Sequence, residues 1–321
     1  MRKLLGIIAA ASVAELALAG AVLGVAGVAG WLSPWLDIAA ALAPIALLCG
    51  AAGAALAFAA YPAGLERRIV LALGLAGVLA SGVLIAPELL SGGPTPGART
   101  GPPLKVLTFN IWDHNRALGR TVDAILGSDA DIVALQEDSL TLEDRRRLAP
   151  TYPYWAPCRL GCSILLLSKR PWIAYGQPDV ASVPSFAWWG LTSAPDGRPV
   201  AIVSTHYVWP IPPGEQAGQR ATLARFLDTL PKQDLLVTGD FNLAPWMAAL
   251  RRQDTAFAPL TRRTHGVFTW PAVIAEIGYP APFPILPIDQ VYAGPAWKTL
   301  AVTRLPLAGS DHYGVLVTLG R

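Results

Sequence analysis

Cysteine is scarce in this chain, with three in 321 residues. Cys49 lies in an apolar run and reads as a small apolar side chain. Cys158 and Cys162 flank the turn-like trio Arg159-Leu160-Gly161 and could pair across it on the oxidising side of a membrane. No second ligand pair has the spacing of a zinc site, which argues against a zinc module. No internal repeat is visible, which sets aside repeat architectures. Long basic stretches are missing too: net charge is +3, and Arg145-Arg146-Arg147, Arg251-Arg252 and Arg262-Arg263 are short clusters that read as solvated surface. That counts against a dedicated nucleic-acid binder.

What the chain has in excess is apolar residues. They make up 53% of it, too many for one soluble domain, and nearly all of the excess precedes Pro94. Runs at 4–29, 38–60 and 69–86 are each long enough, or almost, to cross a bilayer at ~20 residues per span. A cleaved signal peptide would explain the first run but not the two behind it. Arg2 and Lys3 precede the first run, and Arg67 and Arg68 separate the second from the third, whereas the connection 31–37 holds Asp37 and no Lys or Arg. The positive-inside rule puts the N-terminus and the second connection in the cytoplasm, and an odd number of spans delivers everything after Pro87 to the outer face. Trp31, Trp35 and Tyr61 fit interfacial anchors. Glu15 has no visible cationic partner in the other runs and is left without a role. Gly20, Gly24 and Gly27 read as the general glycine tolerance of membrane helices rather than as points of close approach.

Residues 91–103 form a Gly/Pro tether with nothing to bury. The chain thus divides into transmembrane helices (1–90), a linker (91–103) and a domain (104–321) long enough for one substantial core. Strands are expected at 105–109, 132–135, 163–168, 199–205, 235–238, 288–292 and 315–318, and helices at 120–126 and 216–230. The stretch Leu235-Leu236-Val237-Thr238-Gly239-Asp240-Phe241-Asn242 sets the pattern, a buried strand that ends in a carboxylate and, two residues on, a carboxamide. Strand alternation points Asp240 and Asn242 to one side and Phe241 back into the core. Polar residues stand at strand ends elsewhere: Asn110, Gln136 with Glu137, His206, Asp289, and Asp311 with His312. Each alone would pass as a cap, a turn or a satisfied core group. Recurrence of one grammar across a single domain points to a site.

The ordered series Thr108-Phe109-Asn110-Ile111, Leu135-Gln136-Glu137, Ser204-Thr205-His206, Gly239-Asp240-Phe241-Asn242, Ile288-Asp289 and Ser310-Asp311-His312 resembles the endonuclease/exonuclease/phosphatase superfamily. That group holds pancreatic deoxyribonuclease, abasic-site endonucleases, inositol polyphosphate 5-phosphatases and bacterial sphingomyelinases. The likeness spans essentially all of 104–321, and the helices in front make it that of a membrane-anchored bacterial member. It implies an α+β fold: a four-layer sandwich of two packed mixed β-sheets flanked by helices, behind a bundle of about three transmembrane helices. It further implies a phosphodiesterase, phosphatase or nuclease using Mg²⁺ or Mn²⁺, in the plasma (inner) membrane through residues 4–86, with the domain on the periplasmic or extracellular side.

On that resemblance Glu137 coordinates the cation through oxygen, Asn110 helps hold metal or phosphate, and Asp311 is a metal-side or water-bridged ligand. Asp289 holds His312 and fixes its tautomer. His206 binds the phosphate or assists the leaving oxygen, Asn242 donates to a phosphate oxygen, and Asp240 orients the attacking water. Either Asp240 or His312 could take the water's proton. Trp209, in a proline-rigid loop, and Trp270 are candidates to bind substrate, whereas His114 and His265 read as loop surface and Trp188 and Trp189 as core. Abasic-site endonucleases carry an acid two residues after the first-motif Asn; here that position is Trp112, with Asp113 next, which weakens a DNA-repair reading. The substrate could be a lipid head group, nucleic acid or a small phosphate ester. A tether near a bilayer raises the local concentration of lipid. A non-catalytic binding or scaffolding protein on the same fold is the alternative, and the intact residue set argues against it.

Overall fold

The structure is a computed structural model that describes residues 1–91, 101–158, 162–178, 186–274 and 278–321. Most of the expected tether and the trio 159–161 lie outside the described residues. The chain forms two compact units, Met1–Leu90 with Leu243–Arg252, and Ser91–Asn242 with Gln253–Arg321.

The first unit contains α1 (Arg2–Val28), α2 (Pro34–Ala41), α3 (Ala43–Ala60) and α4 (Leu65–Leu90). Three stretches, Lys3–Trp31, Ala43–Ala60 and Leu65–Leu90, are long and apolar enough to cross a membrane. The second apolar run is not one helix. It breaks at Leu42, because Pro44 in the first turn of α3 has no N–H to continue the bonds of α2. Asp37 is therefore helical and buried rather than part of a loop. Its two carboxylate oxygens accept from the N–H groups of Ala248 (2.7 Å) and Ala249 (2.8 Å), where a helix begins. Trp246 Nε1 donates to Ala40 O at 2.7 Å. Arg251 and Arg252 are exposed, as expected, and also donate to the carbonyls of Leu84 and Trp31.

The glycines of this unit are contact points, contrary to the blander expectation. A Cβ on Gly20 would stand 2.5 Å from Gly50 N, and one on Gly77 2.6 Å from the carbonyl carbon of Gly20. A Cβ on Gly50 would meet Gly74 O at 2.7 Å, and one on Gly27 would meet Ala40 Cα at 3.0 Å. The helices touch backbone to backbone, the close approach that small residues at an interface allow.

The second unit runs β1 (Leu104–Asn110), α5 (Leu118–Ser128), β2 (Ile132–Gln136), α6 (Leu142–Leu148), β3 (Tyr154–Pro157) and β4 (Ile164–Ser168). It continues with β5 (Ala174–Gly176), β6 (Ala187–Ser193), β7 (Pro199–His206), α7 (Glu215–Leu227), β8 (Leu236–Asp240) and α8 (Ala248–Phe257), the first part of α8 belonging to the other unit. Last come β9 (Thr261–Arg262), β10 (Val273–Ile274), β11 (Tyr279–Pro280), β12 (Asp289–Ala293), β13 (Lys298–Arg304) and β14 (Val315–Gly320).

Two six-stranded sheets result, in the orders β13-β14-β1-β2-β4-β3 and β5-β6-β7-β8-β12-β9. Both are mixed: β1 pairs parallel with β2 and antiparallel with β14, and β8 pairs parallel with β7 and antiparallel with β12. Alternate residues divide the core. Leu104, Val106, Ile132, Ala134, Ile164 and Leu166 share one buried cluster with Val200, Ile202, Leu236 and Val291 of the other sheet. Leu107, Phe109, Val133 and Leu135 point the other way, onto Val122 and Ile125 of α5 and Leu148 of α6. On the second sheet's side, α7 buries Leu223, Phe226 and Leu227. This is the expected four-layer sandwich.

Cys158 and Cys162 are disulfide-bonded, their Cα atoms 5.8 Å apart. The Arg262-Arg263 pair is not solvated surface either: Arg262 Nε pairs with Asp254 at 3.1 Å, and Arg263 donates to Ala293 O at 3.2 Å. Burial pushes the Arg263 pKa below its usual value.

Candidate active site

In the row of side chains that faces the opposite sheet, each central strand runs apolar and then turns polar at the same end. β1 reads Leu104, Val106, Thr108, Asn110, and β2 reads Ile132, Ala134, Gln136. β7 reads Val200, Ile202, Ser204, His206, and β8 reads Leu236, Thr238, Asp240. Antiparallel β12 reaches the same end with Ala293, Val291, Asp289. A period of two puts every one of these on one face. Register then sets Asp240 between His206 and Asp289 as direct ladder neighbours. Gln136 Nε2 donates to Ser204 Oγ at 2.9 Å and ties the sheets together below the polar end.

The loops beyond these strands turn sharply. Trp112 (φ 61°), Glu137 (φ 54°) and Asn242 (φ 48°) are left-handed, a conformation that costs roughly 1–3 kcal/mol outside glycine and persists only when neighbours hold it. Here side chains hold it: Asn110 Oδ1 accepts from Trp112 N–H at 3.0 Å, and Asp240 Oδ1 accepts from Asn242 N–H at 2.8 Å. Gly239 (φ 141°) is obligatory, since a Cβ there would overlap the carbonyl oxygen of Thr205.

The side chains of the motifs converge. Asn110 Nδ2 donates to Glu137 Oε1 (2.8 Å) and to Asp240 Oδ2 (3.1 Å), linking a carboxylate from each sheet. His206 Nε2 stands 3.6 Å from Glu137 Oε1 and 3.7 Å from Asp240 Oδ2. His312 places Nε2 3.6 Å from Asp240 Oδ2 and Nδ1 2.9 Å from Asp289 Oδ2. Ser310 Oγ donates to Asn110 O (2.7 Å) and accepts from His312 N–H (3.0 Å), pinning the last loop. Asp311 Oδ2 accepts from Trp270 Nε1 at 3.2 Å, and Trp270 meets Trp209 edge-on with ring centres 5.6 Å apart. Asn110, Glu137, His206, Asp240, Asp289 and His312 thus form one constellation. Asp311 and Trp270 adjoin it, and Trp209, about half exposed at 54%, stands at the rim.

Asn242 departs from expectation. The strand has already ended at Asp240, so alternation no longer applies, and the left-handed turn aims Asn242 Nδ2 at Tyr207 O, 2.7 Å away. One amide hydrogen is thereby committed to the fold. Phe241 does point into the core, edge-on to Tyr207 and Tyr292. Trp188 is core, as expected, and His114 is exposed and paired with Asp113. Gln136, Ser204 and Ser310, quoted within the motifs but given no role, support the site, as does Tyr207. As isolated residue types they carry no signal; only strand parity marks them.

Charge in the site is dense, and acids outnumber imidazoles. Burial raises the Asp240 carboxyl to about 6; His312 and His206 oppose the rise and Asp289 adds to it. Burial alone would lower His312, but the charges of Asp289 and Asp240 outweigh it and bring the imidazole to about 10. Asp311 is raised by burial, with His312 and the Trp270 bond pulling down and Glu137 and Asp289 pushing up. Oδ1 of Asp289 and Oδ1 of Asp311 are buried without a hydrogen-bond partner. Four carboxylates against two imidazoles, with orphaned oxygens among them, suit a hard divalent cation. Ligand atoms of Asp240, Asp289 and His312 lie within 4.8 Å of one another. The Asp289–His312 contact is a hydrogen bond, however, which leaves Glu137 and Asp311 as the better oxygen donors.

Residues 107–312 match the Endonuclease/Exonuclease/phosphatase family. No curated protein matches the chain. Among solved structures, D. rerio TDP2 complexed with single strand DNA product is similar at 16% identity and TM-score 0.54, over 68% of this chain and 99% of that one. An endonuclease/exonuclease/phosphatase from Beutenbergia cavernae DSM 12333 is similar at 19% identity and TM-score 0.52, over 70% and 72%. The human Nocturnin catalytic domain with bound sulfate anion is similar at 16% identity and TM-score 0.52, over 70% and 96%.

Proposed function

The chain belongs to the Endonuclease/Exonuclease/phosphatase family, and from that premise we propose that it is a membrane-tethered, divalent-metal-dependent hydrolase of phosphate esters. Phosphoester hydrolysis is the reaction of that family. The observation that carries the reading is Asn110 bridging Glu137 and Asp240, with His206 and the Asp289–His312 pair around them.

A cation held by Glu137, with Asn110 and Asp311 beside it, would supply positive charge to the phosphoryl oxygens when bound. The protein's own groups do the rest. Asp240 Oδ1 is tied to Asn242 N–H, so Oδ2 is the oxygen facing His206 and His312, and we assign it to orient the attacking water and accept its proton. Asp289 takes the Nδ1 proton of His312 in a hydrogen bond, which fixes the tautomer and turns Nε2 toward the reacting phosphate. His206, from the adjacent strand, stands where a second imidazole can hold a phosphoryl oxygen or protonate the leaving one. Asn242 has one remaining amide hydrogen to donate. Trp209 and Trp270 supply an aromatic wall.

We place residues 4–86 in the plasma membrane and 104–321 on its outer side. The cation asymmetry of the short connections supports this, as does the Cys158–Cys162 disulfide, a bond of oxidising compartments. Within the helical unit, 243–252 bonds Asp37, Ala40 and Trp31 around the first connection, the one that lacks cations.

The test is turnover by the full chain in detergent micelles on lipid, nucleic-acid and small phosphate esters with Mg²⁺ or Mn²⁺. Activity should vanish with chelator and with Asp240→Ala. Absence of turnover across all three classes would sink the reading, and calorimetric metal titration would then reveal whether a scaffold remains.

A further inference from the structure

A cleft of about 780 Å³ opens beside the site, its lining including Trp112, His114, Arg116, Arg120, Val273 and Leu307. That volume is in the range of small-molecule sites. The cleft shares its loops with the chemistry: Trp112 N–H bonds Asn110, Asp113 N–H donates to Glu137 Oε2 at 3.0 Å, and Gly309 of the lining precedes Ser310.

Its cations differ from the other arginines of this unit. Arg145, Arg147, Arg170, Arg198 and Arg262 each pair with an aspartate. Among the described residues, the side chains of Arg116 and Arg120 make no ion pair or hydrogen bond. The acid one turn along α5, Asp123, is taken by Arg147 at 2.6 Å, and Asp113 is taken by His114. The loop under Arg116 is nonetheless fixed. Buried Asn115 donates to Ile111 O (3.0 Å) and Thr121 Oγ1 (2.8 Å) and accepts from Ala117 N–H (2.8 Å). Two uncompensated guanidinium forks, one on that fixed loop and one in the first turn of α5, suit an oxyanion beside a phosphate-ester site, above all a phosphate.

We infer that this cleft receives the part of the substrate beyond the scissile phosphorus, and that Arg116 and Arg120 hold a second phosphate there. The preferred substrate is then a compact ester with two phosphoryl groups, its carbon frame against Trp112, Val273 and Leu307. This rests on the hydrolase reading of the adjoining site. A phosphorylated lipid head group and a soluble bisphosphate present the same chemistry, and a near-neutral chain offers no stripe for a polymer.

The experiment uses the full chain in micelles with Mg²⁺, in an Asp240→Ala background so that binding is read without turnover. Calorimetry should show inositol 1,4-bisphosphate binding about tenfold tighter than inositol 1-phosphate, as one added charge-assisted contact allows. Adding Arg116→Gln and Arg120→Gln should cut that preference below about threefold. The same two substitutions should leave the thermal midpoint of the chain in micelles at the wild-type value, since neither side chain makes an ion pair or hydrogen bond in the fold. Equal binding of the two probes, or a preference that survives loss of both arginines, overturns the inference. So does a single-stranded oligonucleotide that binds tighter than the bisphosphate through the same arginines. If no ester is turned over at all, the hydrolase reading fails while the binding comparison still stands. Micelles carrying phosphatidylinositol 4-phosphate supply the second arm: stronger competition than the free bisphosphate assigns the lipid source, equal competition the soluble one, and both support the shared chemistry.

Discussion

Asp289 Oδ2 lies 2.9 Å from His312 Nδ1, and both side chains are buried. The two come from different parts of the chain, one at the start of β12 and one in the loop before β14. Replacing the carboxylate by a carboxamide keeps the shape but removes the anion that anchors the Nδ1 proton. Asp289→Asn should lower kcat by about 10²–10⁴, the usual weight of one acid–base group, with KM little changed. His312→Ala should lose a similar amount, and the double variant no more than either alone, because the residues act as one unit. Additive losses would mean that they do not.

Glu137, the carboxylate we assign to the cation, shares Asn110 with Asp240 and is held from behind by Asp113 N–H. Glu137→Gln keeps the shape and one of the two accepted hydrogen bonds, and removes the charge. Calorimetry should show Mg²⁺ or Mn²⁺ binding weakened on the order of 10–100-fold or more, with turnover falling in step. Chelator should abolish wild-type turnover and either metal restore it. Unchanged metal affinity in Glu137→Gln would move the cation to the Asp240 side.

The strands that carry the site and the residues at their ends are legible because period-two alternation links position to direction, whereas β3, β5, β6 and β13 are not among the expected strands. Asn110, His206, Asp240 and Asp289 need only that rule and strands of two facing sheets that turn polar at the same end. Side-chain directions past the last paired residue of a strand were not legible. Asn242 is turned by a left-handed backbone toward Tyr207, and Trp112 and Glu137 share that turn without being residue types that announce it. α6 hid for another reason: seven residues with three arginines show no apolar period, and the helix is held by the Thr141–Asp144 capping box and by packing of Leu148. The Arg262-Arg263 pair departs from a solvated surface because Arg262 finds its aspartate only after folding.

The glycine contacts of the helical unit can be separated from helix propensity by a matched pair. Alanine gains about 1 kcal/mol over glycine in a helix interior. At Gly82 a Cβ would meet nothing within 4 Å, so Gly82→Ala should be neutral or stabilising. At Gly20 it would press on Gly50 N at 2.5 Å and Ala46 O at 2.9 Å, both backbone atoms that cannot swing aside. Overpacking of that kind costs about 1–3 kcal/mol, enough to outweigh the propensity gain. Thermal melting of the full chain in detergent should show Gly20→Ala lowering the midpoint and Gly82→Ala leaving it in place.

Asp196 accepts two bonds from Arg321 Nη1 at 2.8 Å and one each from Arg198 N–H and Nε at 3.0 Å. Burial works to raise its pKa, but the bonds from Arg321 and Arg198 outweigh it and hold the carboxyl below its usual 3.8. A folded pKa below the unfolded one adds stability above the unfolded value and loses it as pH falls through the folded value. Asp196→Asn should therefore cost about 1–3 kcal/mol at pH 7, the weight of a charged hydrogen-bonding group. The gap from wild type should narrow once pH drops below about 4, where the wild-type carboxyl begins to protonate. Denaturant midpoints at pH 7 and at about pH 3 check the sign. A gap that stays constant would show that the aspartate contributes through shape rather than charge.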